Sequence, residues 1–227
     1  MKVLIIEDDP DVIEVVVLCF ELRWSHSQAI VASTGAQGIE LVETESPDIV
    51  ILDLGLPDMD GLEVCRQIRT FSNVPVMILT VRDSEVDIVK GLEIGADNYI
   101  TKPFRHIELL AKVQALLRRT QGLPLGDNGH PFSSGSLSID FTRREVTVNG
   151  RPVKLTPTEY NLLSHLARNA GQVVPRRVLL EQVWGSEYFE ATDLLKGHIQ
   201  RLRQKLGDNA QSPSIIVNER GIGYRLV

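Results

Sequence analysis

The first 120 residues alternate between short apolar runs and longer amphipathic stretches. The short runs are rich in β-branched residues and predict five strands, at 3–6, 29–32, 49–52, 76–79 and 99–100. The longer stretches place apolar residues at helical spacing and predict five helices, at 11–22, 36–45, 62–71, 84–94 and 107–119. Because the strand runs are apolar throughout, both faces of their sheet must be covered by helices. The pattern predicts an α/β fold, a doubly wound parallel (βα)5 domain over residues 1–120.

This periodicity stops over residues 121–134, where glycine, proline and serine accumulate among polar residues and predict a linker. Alternating apolar positions then predict strands at 136–140 and 145–148. Between the second strand and a third that begins at Val153, Asn149-Gly150 is typical of a hairpin turn.

The remaining chain predicts three helices and a closing hairpin. The helices are expected at 157–168, 176–183 and 192–206, the first opened by a cap at Thr156 and Glu159. The hairpin strands are expected at 215–217 and 224–227. Three helices followed by a hairpin predict an α+β winged helix-turn-helix domain over residues 135–227.

Composition excludes several classes of protein. Hydrophobic residues make up 43% and charged residues 24%, which excludes a fibrous or wholly disordered chain. Two cysteines, Cys19 and Cys65, exclude a disulfide framework or a multi-cysteine zinc cluster. The longest apolar run, 15–20, is far shorter than the roughly 18 to 20 residues that span a bilayer. We therefore expect a cytoplasmic protein with no membrane partner.

Charge is distributed unevenly along the chain. Residues 1–121 have 11 basic and 20 acidic residues, a net charge of −9, whereas residues 122–227 have 13 and 10, a net charge of +3. A mildly basic half can approach nucleic acid, although most such imbalances are only solvated surface. The two halves are therefore expected to have different partners.

Acidic residues follow two of the predicted parallel strands. Glu7 and Asp8 come directly after the first strand, and Asp53 ends the third. The carboxyl ends of parallel strands meet at one edge of a sheet, so these carboxylates should converge there. Such a cluster repels itself unless a cation joins it, and Mg²⁺ prefers oxygen ligands of this kind. The alternative is that Asp8 and Asp9 only cap the first helix.

Two further residues reach the same edge and favour a site. Thr80 ends the fourth strand and Lys102 follows the fifth. A carboxylate nucleophile and a metal are what formation of an acyl phosphate requires, and Lys102 could balance the charge of a transferred phosphoryl group.

These positions carry a family resemblance. Glu7-Asp8, Leu52-Asp-Leu-Gly-Leu-Pro-Asp58, Leu79-Thr80 and Thr101-Lys-Pro-Phe104 resemble, in order, the receiver domain of two-component response regulators. The resemblance implies that Asp53 accepts the phosphoryl group and that Lys102 pairs with it. It implies a metal site formed by Glu7, Asp8, Asp53 and the Gly55 carbonyl. It further implies a switch in which Thr80 bonds the phosphate and Tyr99 turns inward. Val81 stands where the family has a small residue.

The last predicted helix is basic on one side. Its apolar stripe is Leu195, Ile199, Leu202 and Leu206. The opposite face carries Gly197, Gln200, Arg201 and Gln204, and its flanks carry Lys196, His198, Arg203 and Lys205. Arginine and glutamine can read base edges in a DNA groove. The alternatives are an ordinary solvated basic face and a structural role for His198.

The second half resembles the OmpR/PhoB-type effector domain through Leu155-Thr-Pro-Thr-Glu-Tyr160, Val183-Trp184-Gly185 and Arg220-Gly-Ile-Gly-Tyr-Arg225. Arg220 at the hairpin turn is expected at a minor groove or a phosphate. The stretch Asp193-Leu-Leu-Lys196 departs from the family at the start of the recognition helix.

The combined resemblance implies a transcriptional regulator rather than an enzyme. A sensor histidine kinase would phosphorylate Asp53, and the receiver would dimerise through its fourth helix, fifth strand and fifth helix to bind promoter DNA, with RNA polymerase a further candidate partner. The expected charges at the dimer surface are Lys90, Asp97, Glu108, Lys112 and Arg119, whereas Ile88 and Asn98 replace charges usual in the family.

Two alternatives stay open at this point. One is a regulator that binds DNA without phosphorylation, and the other is a metal-dependent phosphohydrolase with a nucleic-acid-binding module. The second lacks sequence support, since the chain has no glycine-rich nucleotide loop and no Walker lysine.

Overall fold

The computed structural model describes residues 1–121 and 131–227, with the side chains of residues 118–121 and 187 outside that description. The chain forms two compact units, residues 1–120 and 121–227. Most of the predicted linker and the side chain of Arg119 lie outside the described residues. Residues 132–134, which the sequence placed in that linker, form a strand of the second unit.

The first unit alternates strands and helices along the chain. In order they are β1 Lys2–Ile6, α1 Pro10–Arg23, β2 Gln28–Ala32, α2 Gly35–Glu45, β3 Ile49–Leu52, α3 Gly61–Phe71, β4 Val76–Thr80, α4 Glu85–Ile94, β5 Asn98–Thr101 and α5 His106–Gln121. All four strand pairings are parallel, in the order β2-β1-β3-β4-β5. The predicted doubly wound α/β fold is confirmed, with every boundary within two residues.

The strand order places the candidate site. The core packs Ile5, Ile51 and Met77 of three neighbouring strands against helix residues that include Phe20 and Val113. β1 and β3 are neighbours at the centre of the sheet, so Glu7 and Asp53 leave adjacent strands at the same edge. The Asp53 N–H donates to the Ile6 carbonyl at 2.9 Å, which fixes this register.

Both cysteines belong to helices that face the sheet. Cys19 lies on α1 and Cys65 on α3, and both are buried and not linked by a disulfide bond.

The second unit combines two small antiparallel sheets with three helices. Its elements are β6 Phe132–Ser134, β7 Leu137–Asp140, β8 Glu145–Val148, β9 Arg151–Pro152, α6 Pro157–Arg168, β10 Val174–Pro175, α7 Arg176–Val183, a 3-10 turn Ser186–Tyr188, α8 Thr192–Leu206, β11 Ile216–Glu219 and β12 Gly223–Leu226. One sheet has the order β6-β7-β8-β9 and the other β10-β12-β11. The predicted winged-helix architecture is confirmed.

The differences from the sequence prediction are short elements. β6 contains two serines and β10 ends in a proline, so neither carries an apolar alternation, and both exist because a partner strand lies beside them. The third strand is Arg151–Pro152, and the Val153 N–H still donates to the Val146 carbonyl. The predicted cap of α6 is confirmed: Thr156 and Glu159 each accept the other's backbone N–H.

Across the two described ranges, no helix combines the length and the apolar character that crossing a bilayer demands.

Candidate functional site

Three carboxylates converge at the carboxyl edge of the five-stranded sheet. Glu7, Asp8 and Asp53 each offer one oxygen, and these oxygens lie within 4.8 Å of one another. Glu7 and Asp53 are buried, whereas Asp8 is exposed. The cluster is therefore anchored in the sheet and open on one side, and an exclusively carboxylate donor set suits a hard cation such as Mg²⁺.

Lys102 supplies the positive charge of the site. Its Nζ lies 2.6 Å from Glu7 Oε2 and 3.2 Å from Asp53 Oδ2. Burial raises the pKa of Glu7, the hydrogen bond from Lys102 opposes that rise, and the neighbouring Asp53 charge adds to it. One ammonium group thus pairs with two of the three clustered carboxylates, which leaves an excess of negative charge for a cation to balance.

The carboxylate of Asp53 is held from two sides. Its Oδ1 accepts the Leu54 N–H at 2.7 Å, and its Oδ2 faces Lys102. Gly61 allows the close approach of α3 behind it, because a Cβ there would lie 2.2 Å from the Asp53 carbonyl oxygen. Gly55 is exposed, and a Cβ there would meet Asp53 Oδ2 at 3.5 Å. Its backbone therefore borders the same carboxylate.

The capping alternative applies to one of the two aspartates. Asp9 caps α1 by accepting the Asp11 N–H at 2.9 Å. Asp8 instead offers an oxygen to the carboxylate cluster. Adjacent acids in the sequence therefore serve different purposes.

Thr80 ends β4, and Tyr99 lies on the neighbouring β5 opposite Ile78; both are buried. Both side chains bond the backbone of Arg82: the Thr80 hydroxyl accepts the Arg82 N–H at 3.5 Å, and the Tyr99 hydroxyl donates to the Arg82 carbonyl at 2.8 Å. Burial raises the pKa of Tyr99 to about 12, so this hydroxyl stays protonated near neutral pH. Tyr99 is inward in this structure. Val81 is exposed next to Thr80.

Sequence reasoning missed Arg82. Its guanidinium lies 3.0 Å from Asp60, the N-cap of α3, so it joins the loop after β4 to the loop after Asp53. Its position two residues after Thr80 is the feature of the sequence that could have indicated it.

One residue assigned to the dimer surface is buried instead. The Asp97 side chain accepts from Arg69 Nη2 at 2.9 Å and from the Val76 N–H at 3.0 Å. Its expected role as a surface charge is wrong, because Arg69 on α3 and the start of β4 enclose it. Lys112 donates to the Tyr99 carbonyl and lies 3.5 Å from Glu108.

The apolar stripe of α8 is buried as predicted, and the exposed side of the helix carries Lys196, Gln200 and Gln204. Gly197 and Arg201 are half-buried. At the turn between β11 and β12, Arg220 is exposed next to Gly221, whose φ of +79° favours glycine. These residues form a polar surface with several long side chains that can donate hydrogen bonds.

Three predicted DNA contacts on α8 turn into the unit. His198 is 1% exposed, and its ring packs against that of Trp184 with centroids 4.8 Å apart and a tilt of 58°, so its burial contradicts the predicted DNA contact. Arg203 donates to the Ile216 carbonyl at 2.6 Å. Lys205 donates to Glu159 Oε2, also at 2.6 Å. Neighbouring elements supply these partners, and a helix pattern alone does not show them.

Two family models match separate parts of the chain. The family model described as response regulator receiver domain matches residues 3–114, and that described as transcriptional regulatory protein, C terminal, matches residues 150–226.

Two curated relatives come from Mycolicibacterium smegmatis. The sensory transduction protein RegX3 is 41% identical over 226 residues, covering 99% of this chain and 98% of that protein. The DNA-binding response regulator MtrA is 42% identical over 224 residues, covering 99% and 96%. Among solved structures, the response regulator DrrB of Thermotoga maritima, described as an OmpR/PhoB homolog, is 32% identical, covers 100% of this chain and 98% of its own, and has a TM-score of 0.50.

Proposed function

The chain belongs to the DNA-binding response regulators of two-component systems that join a receiver domain to an OmpR/PhoB-type effector domain, and from this premise we propose that phosphorylation of Asp53 controls its binding to DNA. One observation carries the proposal. Oxygens of Glu7, Asp8 and Asp53 lie within 4.8 Å of one another, and the Lys102 ammonium group lies 2.6 and 3.2 Å from two of these acids.

The proposed reaction is transfer of a phosphoryl group from a phosphohistidine of a sensor kinase. A carboxylate oxygen of Asp53 attacks phosphorus, an O–P bond forms, and the P–N bond to the histidine breaks. The electron pair of the broken bond stays on the leaving nitrogen of the histidine. Asp53 suits this role because its carboxylate is oriented by the Leu54 N–H and lies at the carboxyl edge of the sheet.

Glu7, Asp8, Asp53 and the Gly55 carbonyl are the proposed ligands of Mg²⁺, which when bound would neutralise charge on the transferred oxygens. Lys102 is proposed to turn from Glu7 towards the phosphoryl group, because a more highly charged anion then lies within its reach.

The proposed switch starts at Thr80. Its hydroxyl would donate to the phosphoryl group, and the segment from Thr80 to Arg82 would move with it. Tyr99 bonds the Arg82 carbonyl, so a change at Thr80 reaches the β5 surface through one hydrogen bond. The surface formed by α4, β5 and α5 is the proposed dimer interface, and exposed Val86 and Ile107 give it apolar character.

The proposed DNA contacts are those left on the surface of the second unit. Gln200, Arg201 and Gln204 would read bases, and Lys196 and Arg220 would contact phosphates or a minor groove. Promoter DNA, a sensor histidine kinase and RNA polymerase are the proposed partners, and a cytoplasmic location follows from that role.

The test is phosphorylation of the full chain with acetyl phosphate and Mg²⁺, with the DNA affinity measured in parallel. Asp53→Asn should abolish stable labelling and the gain in affinity while the fold is retained, and chelation of Mg²⁺ should also prevent labelling. The matched control, Asp83→Asn, removes an exposed acid from the loop before α4 and should be labelled normally.

Stable labelling of the Asp53→Asn protein would refute the acceptor assignment. Equal DNA affinity with and without the phosphoryl donor would favour a phosphorylation-independent regulator. Turnover of a small phosphomonoester would favour a phosphohydrolase.

A further inference from the structure

The hairpin formed by β11 and β12 is joined to the end of α8 by two side chains. Ile216 is the first residue of β11, and both of its backbone polar groups bond to this helix end. Its N–H donates to Asp208 Oδ2 at 2.9 Å, and its carbonyl accepts from Arg203 Nη2 at 2.6 Å. The start of the hairpin is thus bonded to one residue on the last turn of α8 and to another just after it.

Asp208 has further partners at the same place. Its Oδ1 accepts the N–H groups of Ser214 and Ile215 at 2.7 and 3.1 Å, and Arg203 Nε lies 3.8 Å from its Oδ2. The Asp208 side chain is fully buried and that of Arg203 nearly so. Charge-assisted hydrogen bonds in such a setting are short and specific, so this network restricts the path of the chain between α8 and β11.

The other strand of the hairpin is fixed from a different direction. β12 pairs with β10, and a Cβ on Gly223 would lie 1.9 Å from the Val174 carbonyl oxygen, so these two backbones are in close contact. The Arg176 N–H at the start of α7 donates to the Ile222 carbonyl. The hairpin is therefore tied to the α7 side through β12 and to α8 through β11.

We propose that Arg203 and Asp208 are positioning residues that set the hairpin against α8, so that Arg220 and the exposed face of α8 engage one DNA duplex together. The proposal rests on the proposed DNA-binding roles of α8 and Arg220. It gives Arg203 a role inside the unit in place of the phosphate contact expected from the sequence.

The distance from Ile216 to Arg220 makes the position of Arg220 sensitive to small rotations of the hairpin. Arg220 lies four positions after Ile216, about 13 Å along an extended strand. A tilt of about 10° at Ile216 would therefore displace Arg220 by about 2 Å, which is enough to break a hydrogen bond.

The experiment is a double-mutant cycle in the full chain, using a duplex that the wild-type protein enriches from a random-sequence pool. Arg220→Ala should weaken binding of wild type by about 5- to 100-fold. Arg203→Met keeps the aliphatic stem but removes the guanidinium, and it should weaken binding comparably. In the Arg203→Met background, Arg220→Ala should then cost less than about twofold, because additivity fails for coupled residues.

Two further variants test whether the effect comes from the Arg203–Asp208 network. Asp208→Asn should reproduce the loss of coupling, and urea unfolding of each variant establishes that the second unit is folded. Asn209→Ala, an exposed neighbour in the same loop, is the matched control and should leave the full effect of Arg220→Ala intact. Hydroxyl-radical footprints should lose the hairpin protection in Arg203→Met while keeping that of α8.

The possible failures are distinguishable. If Arg220→Ala costs the same in wild type and in Arg203→Met, Arg203 does not position the hairpin and this inference is overturned, with the proposed function intact. If Arg220→Ala has no effect on wild type, the hairpin contact of the proposed function is itself wrong, and the inference falls with it.

Discussion

The ammonium group of Lys205 lies 2.6 Å from Oε2 of Glu159, a carboxylate that is 2% exposed. The same oxygen accepts the Thr156 N–H at the start of α6. The pair therefore ties the last turn of α8 to the first turn of α6, and a lysine expected to contact DNA contributes to the packing of the two helices.

Lys205→Ala should lower the free energy of unfolding by about 1 to 3 kcal/mol, because Glu159 would keep its burial and lose its charged donor. Urea unfolding of the full chain, monitored by a signal from the second unit, measures this change. The matched control is Lys196→Ala on the same helix, whose side chain is 56% exposed and pairs with the exposed Asp193. That change should stay within about 0.5 kcal/mol.

In DNA binding, the larger effect should come from Lys196→Ala and the smaller one from Lys205→Ala. Lys196→Ala should reduce the salt slope of binding by about one unit, as expected for one lost phosphate contact, whereas Lys205→Ala should leave it unchanged. If Lys205→Ala reduced the slope and spared stability, the sequence prediction of a phosphate contact would be right after all.

Arg201→Ala should cost about 1 to 3 kcal/mol on a duplex selected by the wild-type protein and little on a scrambled duplex, because a guanidinium that reads a base contributes only where that base is present. Titrations on both duplexes give the specificity ratio. Equal losses on the two duplexes would mean that Arg201 only anchors, and that Gln200 or Gln204 reads the sequence.

Asp58 should make the stability of the first unit depend on pH. Hydrogen bonds from the Ala36 and Gly35 N–H groups, at 2.9 and 2.7 Å, hold the pKa of Asp58 below its ordinary value of 3.8. A lowered folded-state pKa adds stability above the ordinary value and loses it as the pH falls through the lowered one. Asp58→Asn should thus be destabilising at neutral pH, and the difference from wild type should shrink below pH 3.8.

The measurement is urea unfolding of wild type and Asp58→Asn from neutral pH down through that value. A difference that stays constant over the whole range would show that the carboxylate charge does not matter and that only the shape of the side chain does.

Gly61→Ala should disturb the acceptor as well as the fold. The added carbon would lie 2.2 Å from the Asp53 carbonyl oxygen, a backbone atom that a rotamer change cannot move aside. We expect a loss of about 1 to 3 kcal/mol of stability and slower labelling of Asp53 by acetyl phosphate. Gly55→Ala, whose carbon would meet its nearest atom at 3.5 Å, is the control for stability. Unchanged stability and labelling of Gly61→Ala would show that the loop can yield there.

The residues of the site at the sheet edge could be predicted from the sequence, because their placement depends only on which strand each of them follows. Glu7, Asp53 and Lys102 each follow a strand, and the parallel arrangement of those strands brings their ends together without reference to any other contact. Following a strand is not sufficient to place a residue in the site, since Asp9 also follows β1 and yet caps α1.

The surface of α8 could be predicted only in part, because a helical pattern gives the direction of a side chain and not what lies there. His198 packs against Trp184 just after α7, Arg203 bonds to β11, and Lys205 pairs with Glu159, which lies 46 residues earlier. The prediction that Asp97 is a surface charge is wrong for the same reason, since its partner Arg69 precedes it by 28 residues. Long-range partners of charged residues decide which of them stay on the surface.

The burial of both cysteines also determines how the protein can be labelled. Thiol reagents react with exposed thiolate, and burial hides Cys65 and Cys19 while raising the pKa of Cys19. A maleimide dye should therefore leave the wild-type chain almost unmodified under native conditions. Cysteines introduced at exposed positions would be modified selectively in the otherwise natural sequence, so fluorescence reporters can be attached to either unit without first replacing Cys19 and Cys65.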